Sequence, residues 1–516
     1  MLGNSVCILI TIIFYLVMMI VIGAVFSKKN KSTDDFYLGG RKLGPLVTAM
    51  SAEASDMSSW LLLGLPGLAL ITGLAEATWT AIGLAIGTYL NWLFVAKRLR
   101  VYTNKLGAVT IPDFFAKRFG DDKKIITLIS AIFIVVFFVP YTASGFVGCG
   151  KLFSSIFGID YFSAMIICAL VIALYCILGG FLAASTTDFI QSIIMSIALV
   201  AVLGFSFKVA GADDIFNNVK NIEGFLDIFK GCDVTTGAVG SYGALPIAST
   251  LAWGLGYFGM PHIILRFMAI EDENKLHISR RVGSIWVVIS MSVAILIGVC
   301  GYTLMKEGVV PSYATNSDAE RVIIDIASEI STYGILPAIL GGVILAGILA
   351  SAMSTSDSQL LAATSSVTQN IIQEFFKVKL SQKSAIWVAR VMVLVISAIA
   401  VFLAMNPDSS VFRIVSFAWA GFGATFGPTM LLALFWRRSN RQGAMAGLIC
   451  GGITIFVWKF GIARLGGAFA IYELLPAFII ALIADVVVSL ATKNPSPVIT
   501  KKFDEVNKKS QRSLMK

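Results

Sequence analysis

The chain has 516 residues, of which 57% are hydrophobic and 14% charged, against about a quarter charged in an ordinary soluble domain; with a mean hydropathy of +0.84 it is not built to fold in water. Two histidines, seven scattered cysteines with no CxxC pair, and no phosphate loop leave no basis for a catalytic triad, a zinc site or nucleotide hydrolysis. A net charge of +10 could serve a nucleic-acid partner unless its placement follows membrane topology.

Thirteen apolar runs succeed one another, at about 6–26, 46–72, 77–96, 125–150, 160–180, 186–207, 240–265, 282–304, 334–370, 386–405, 411–436, 443–463 and 468–490. Each is near the roughly 20 residues that cross a bilayer, and they are numbered here as spans one to thirteen. No gap between them admits a soluble domain, so residues 1–491 are expected to form one polytopic membrane unit, with 492–516 as a polar tail too short for a signalling module. Span one has no Lys or Arg before it and no small-residue cleavage site after it, the pattern of a retained span rather than a signal peptide.

Segments 27–45, 97–124, 266–281, 371–390, 437–442 and 491–516 hold 31 of the 40 Lys and Arg residues. Positive charge favours cytoplasmic loops, which predicts an outside N-terminus and a cytoplasmic C-terminus. The basic balance is thereby assigned to lipid-bilayer topology, with no nucleic-acid partner. The opposite loops, 208–236 and 305–333, carry acids such as Asp213, Glu223, Glu320 and Asp325 and are expected to be short solvated caps.

Span two is interrupted by the polar, small-residue stretch from Ser51 to Trp60, which includes Glu53 and Asp56. A charge at membrane depth costs roughly 2.5 kcal/mol or more, so an intramembrane acid marks a functional position. Span seven carries the stretch from Trp253 to His262, where three glycines and Pro261 weaken a helix. Gly254, Gly256 and Gly259 spell GxGxxG, but no strand precedes them, so a dinucleotide site is excluded by context.

Spans two and seven each begin a set of five, and broken segments at corresponding places in two halves point to a transporter's binding site. The expectation is an all-α membrane protein with inverted repeats at about 46–207 and 240–436. In span nine, Ser351, Ser354, Thr355 and Ser358 fall on one helix face at i, i+3, i+4 and i+7. Hydroxyls beside unwound carbonyls suit a hard cation, although such a stripe also lets membrane helices pack closely.

The segments from Asp35 to Arg41, from Ser55 to Ser58 followed by Trp60, Gly179-Gly180-Phe181, Trp253 to His262, Met353-Ser354-Thr355 and the Pro428 region together resemble the sodium:solute symporter family, and within it the bacterial sodium/proline symporters. The resemblance implies a leucine-transporter-like fold of two inverted five-helix repeats plus flanking helices, working by alternating access. It implies Na+ as coupling ion, no organic cofactor, and no enzymatic activity. By position, sodium would be held by the carbonyls of Ala54, Met57 and Ser351 and the hydroxyls of Ser354 and Thr355, with Asp56 in support. L-proline would contact Trp60, Tyr141, Trp253, Tyr257 and Pro261. A candidate second sodium site comprises Asp188, Asp357 and Ser358.

Arg41 aligns with a family arginine linked to sodium coupling, although its loop explains positive charge without it. The chain departs from the proline pattern at Glu53, Ser59 and Met260, which leaves a sodium symporter for another amino acid, pantothenate or a sugar as the alternative. A solute-sensing receptor stands behind these, with the short tail against it.

Overall fold

The computed structural model describes residues 2–27 and 33–512. Among these, eleven helices are long and apolar enough to cross a membrane. One of them, Tyr161–Ala210, runs for 50 residues, which at 1.5 Å per residue is more than twice the thickness of a hydrocarbon core of about 30 Å. It breaks at Gly180, whose φ of 67° and ψ of −174° are open to glycine at no steric cost, and so supplies spans five and six. Span seven is the helix pair Ala244–Leu251 and Pro261–Ala269, joined by the tight turns of Ala252–Phe258. Each of the other twelve apolar stretches lies mainly on one of the eleven long helices.

Span two is helical over Pro45–Ser59, but Ser58 has φ 49° and ψ −170°. The chain then continues as a wide-turn segment, Trp60–Gly64, into Leu65–Thr72. A non-glycine residue in that region costs of order 1–3 kcal/mol and persists only where surroundings enforce it. Here the enforcement comes from complete burial, since every residue from Thr48 to Ile71 is shielded from solvent. Span nine, Ile335–Ser365, packs against spans one, two, four and the span five–six helix, and its hydroxyl face is therefore enclosed by protein rather than lipid.

On the Lys- and Arg-rich face, the entry of span two and the exit of span seven are tied through the main chain. Leu43 N donates to the Ala269 carbonyl at 3.1 Å and Glu271 N to the Leu43 carbonyl at 2.9 Å. Arg41 reinforces the tie by donating to the Met268 carbonyl at 2.7 Å and the Ala108 carbonyl at 2.6 Å. Its charge thus satisfies the Met268 carbonyl in the last turn of the Pro261–Ala269 helix, where a cation also meets the negative end of the helix dipole.

One loop expectation is corrected. Glu320 is not a solvated cap: it is buried, pairs with Lys151 at 2.7 Å, and accepts the Val411 and Phe412 amides and the Ser410 hydroxyl at the start of span eleven. An anion there satisfies the orphan donors of a helix N-terminus and balances the buried lysine. The tail is ordered as the helix Pro497–Arg512, laid across the ends of other helices. Phe503 and Val506 are buried, and Arg98 and Arg118 lie over the Phe503 ring. Arg437 grips Asp504 through two bonds of 2.9 and 3.1 Å, which holds the Asp504 carboxyl below its usual range. Ion pairs from Lys509 to Glu273 and from Lys105 to Glu505 complete the contact.

Candidate ion and substrate site

The break in span two and the hydroxyl face of span nine come together. The Ser354 hydroxyl lies 2.8 Å from the Ala54 carbonyl oxygen and 3.3 Å from that of Ser351, and the Thr355 hydroxyl donates to the Ser351 carbonyl at 3.1 Å. All four residues are buried. The Met57 carbonyl, also at the break, receives the Trp60 amide. Carbonyl oxygens have two lone pairs and hydroxyls can turn, so this all-oxygen cluster is chemically suited to a small hard cation.

Asp56 sits at the joint of the two broken helices. Its carboxylate Oδ2 accepts the Tyr257 hydroxyl from span seven, while its own carbonyl receives the Tyr141 hydroxyl from span four at 3.3 Å. The carboxylate is therefore engaged with span seven rather than with the span-nine hydroxyls.

Beside this joint is an aromatic group. The Trp60 and Trp253 rings are 5.6 Å apart, each meets Phe412 at 6.1 and 5.5 Å, and Trp253 stacks on Tyr472 at 5.1 Å. Tyr257 meets Trp419 edge-on at 5.1 Å. Trp60 Nε1 is buried with no hydrogen-bond partner, a free donor next to the span-two break. Pro261 occupies the first turn of its nine-residue helix, where its missing N–H costs nothing. Of the expected substrate residues, Trp60 and Trp253 share one side of the group, whereas Tyr141 and Tyr257 converge on Asp56.

Phe412, Trp419 and Tyr472 did not figure in the sequence reading. The first two are seven residues apart and so share a face of span eleven; that spacing was the available signal. Tyr472 lies at the start of span thirteen, just before its helix Leu474–Ala491, and no pattern in the sequence brings it to Trp253.

Asp188, Asp357 and Ser358 are also drawn together, around a residue the charge count had assigned to a cytoplasmic segment. Arg266 is buried. Its guanidinium donates to Ser51 at 3.0 Å, Ser55 at 2.9 Å and Asp188 Oδ2 at 3.0 Å, and also to Ser358. Asp188 Oδ2 further accepts Ser51 and Ser55 at 2.7 and 3.1 Å, and the Ser358 hydroxyl reaches Asp357 Oδ1 at 3.0 Å. Asp188 Oδ1 and Asp357 Oδ2 are buried without a partner. Arg266 enters this cluster because it lies one turn after His262, whose ring faces the Ser55 carbonyl at 3.2 Å. The span-seven break turns that face inward.

Of the three departures from the proline pattern, Glu53 accepts Trp92 Nε1 at 2.7 Å and the Thr88 hydroxyl at 3.3 Å, away from the hydroxyl cluster. Ser59 is buried with an unpartnered hydroxyl, and Met260 is fully enclosed just before Pro261.

The sequence model of the sodium:solute symporter family matches residues 36–451. The chain is 42% identical to the osmoregulated proline transporter OpuE of Bacillus subtilis, covering 98% of this chain and 99% of that one. It is 41% identical to the sodium/proline symporter of Escherichia coli, covering 97% and 96%. Among solved structures, it is similar to a Na+-coupled sialic acid symporter in a substrate-bound, outward-open state, with TM-score 0.77, 19% identity and coverage of 95% and 99%. It is also similar to the nucleobase-cation-symport-1 family transporter Mhp1 in a closed conformation, with TM-score 0.50, 14% identity and coverage of 92% and 99%. These two carry the fold, which is the leucine-transporter-like one.

Proposed function

The chain belongs to the sodium:solute symporter family, and on that premise we propose that it is a multi-pass cell-membrane transporter that takes up L-proline together with Na+ by alternating access. The observation that carries the reading is the contact of the span-nine Ser354 hydroxyl with the span-two Ala54 carbonyl at 2.8 Å, beside the Ser351 carbonyl that the Ser354 and Thr355 hydroxyls meet within span nine at 3.3 and 3.1 Å. That cluster, with the nearby Met57 carbonyl, is the place for the coupling ion. Asp56 supports it from one side, as an anion close to the ion whose other engagement is with Tyr257.

The solute is assigned to the space among Trp60, Trp253, Tyr257, Tyr141 and Pro261. Flat rings suit the apolar face of a pyrrolidine, and amides freed at a helix break suit its carboxylate. The family relatives named as proline transporters at 41–42% identity support that cargo over pantothenate or a sugar. The basic face that carries the Leu43–Ile270 bridge is cytoplasmic in this reading, and access from that side requires the bridge to open.

A second sodium ion has its own support. Asp188 and Asp357 are two buried carboxylates, the first paired with the Arg266 guanidinium and the second linked to it only through the Ser358 hydroxyl, and each keeps an unpartnered oxygen. A monovalent cation held by these oxygens and the Ser358 hydroxyl balances the charge. Asp357→Asn then lowers the steepness of the sodium dependence from about two ions to one; an unchanged steepness removes the second ion.

The test of the main reading is uptake of labelled proline into vesicles containing the purified protein. Uptake is expected to require an inward sodium gradient; uptake that persists when choline replaces sodium overturns the coupling, and sodium-driven uptake of another solute in preference to proline overturns the cargo.

A further inference from the structure

Unwinding span seven frees backbone carbonyls that must find other partners inside the membrane, and two side chains supply them. Trp419 Nε1 donates to the Trp253 carbonyl at 2.8 Å, and Asn91 Nδ2 donates to the Tyr257 carbonyl at 3.0 Å. Asn91 is buried and opens the wide-turn segment Asn91–Ala96 of span three, a kind of irregularity that gathers at functional sites. Its Oδ1 has no hydrogen-bond partner, so the position keeps a carboxamide in an enclosed site with only its donor half used.

The approach of the two spans is fixed below Asn91 by glycine. Gly83 and Gly87 lie two turns and one turn before it on the same face of span three, helical over Leu74–Leu90. A Cβ on Gly87 would fall 2.3 Å from the Gly254 carbonyl oxygen, and one on Gly254 would fall 2.2 Å from that of Gly83. Span three thus lies backbone to backbone against the unwound stretch, and Asn91 reaches Tyr257 from that close-packed base. The same Tyr257 gives its hydroxyl to Asp56. One residue is therefore held at both ends, its peptide by Asn91 and its ring oxygen by the acid at the span-two break.

We propose that Asn91 is a positioning residue of the transport site, which fixes the Tyr257 peptide so that the Tyr257 hydroxyl stays on the Asp56 carboxylate. It acts through Tyr257, and the inference rests on the functional reading in which Asp56 and Tyr257 border the ion and solute. A purely structural role, in which the carboxamide only satisfies a carbonyl, predicts lower stability with unaltered ligand dependence.

The test is a double-mutant cycle on the purified full-length protein with Asn91→Ala, Tyr257→Phe and both together. It is read by labelled proline uptake and, independently of any solute, by the sodium concentration that gives half of the maximal thermal stabilisation. Asn91→Ala is expected to raise the half-saturating sodium about fivefold or more, and to raise it by less than twofold once Tyr257 is Phe. Equal factors in both backgrounds, or a lower melting temperature with unchanged sodium dependence, overturn the proposal. Should Asn91→Ala fail to fold, Asn91→Ser, whose hydroxyl is too short to reach the carbonyl, serves the same cycle. A wild-type protein that takes up no proline refutes the functional reading, while the sodium titration still decides the role of Asn91.

Discussion

The Tyr257 hydroxyl donates to the Asp56 carboxylate, so the two broken membrane helices share a polar contact between side chains that each sit beside a break. Such a contact lets one helix sense the arrangement of the other. Removing the donor leaves a buried carboxylate under-satisfied, which costs about 1–3 kcal/mol. Tyr257→Phe is expected to raise the half-saturating proline or sodium concentration roughly five- to a hundredfold while the protein still folds. Uptake kinetics as a function of each ligand check it, and wild-type kinetics in the variant would show that the contact is idle.

Ser354 and Thr355 bring hydroxyls to the Ala54 and Ser351 carbonyls. Ser354→Ala and Thr355→Ala each remove one oxygen from the proposed ion cluster, and each is expected to raise the half-saturating sodium concentration with little change in maximal rate. If sodium dependence is unchanged in both, span nine is not part of the ion site.

Arg266 and Asp188 form an ion pair shielded from solvent on all sides. Removing one partner of such a pair strands the other charge, a loss of about 3–5 kcal/mol. Arg266→Met is therefore expected to lower the melting temperature and the yield of folded protein sharply, and Asp188→Asn in the same chain to restore part of both. A double variant less stable than Arg266→Met alone would show that Asp188 is balanced by another group.

The Pro497–Arg512 helix is anchored by Phe503, which sits against Tyr102 and between two guanidinium groups. Its ion pairs are partly exposed and contribute about 0–1 kcal/mol each, whereas truncating a buried phenylalanine costs about 3–5 kcal/mol. Phe503→Ala is expected to free the helix, read as faster tryptic cleavage at Lys501 and Lys502 with uptake measured alongside. Cleavage at the wild-type rate would mean that the charges alone hold it.

Much of the site is legible in the sequence because a membrane makes polarity expensive. Asp56 and the serine face of span nine were visible as departures from an apolar background, and the weak helix from Trp253 to Pro261 was visible as a run of glycines closed by proline. The same logic failed for Arg266 and Glu320, since charges near the end of a span look the same in sequence whether water or an oppositely charged group receives them. Phe503 and Val506 were overlooked for a related reason: two apolar residues in a charged tail announce a buried face only once the surface that covers them is known.

Read alone, the amino-acid order establishes that the chain spans a membrane many times, that spans two and seven are interrupted at matching places, and which oxygen-bearing residues are available to an ion. Those features depend on local composition and helical spacing, which any single segment carries. The pairings arise in the folded chain: Ser354 with Ala54, Asp188 with Arg266, Asn91 with the Tyr257 carbonyl. Each joins residues far apart in the chain, and the partner of a buried polar group is chosen by which helix faces are packed together, a choice that no one helix encodes alone.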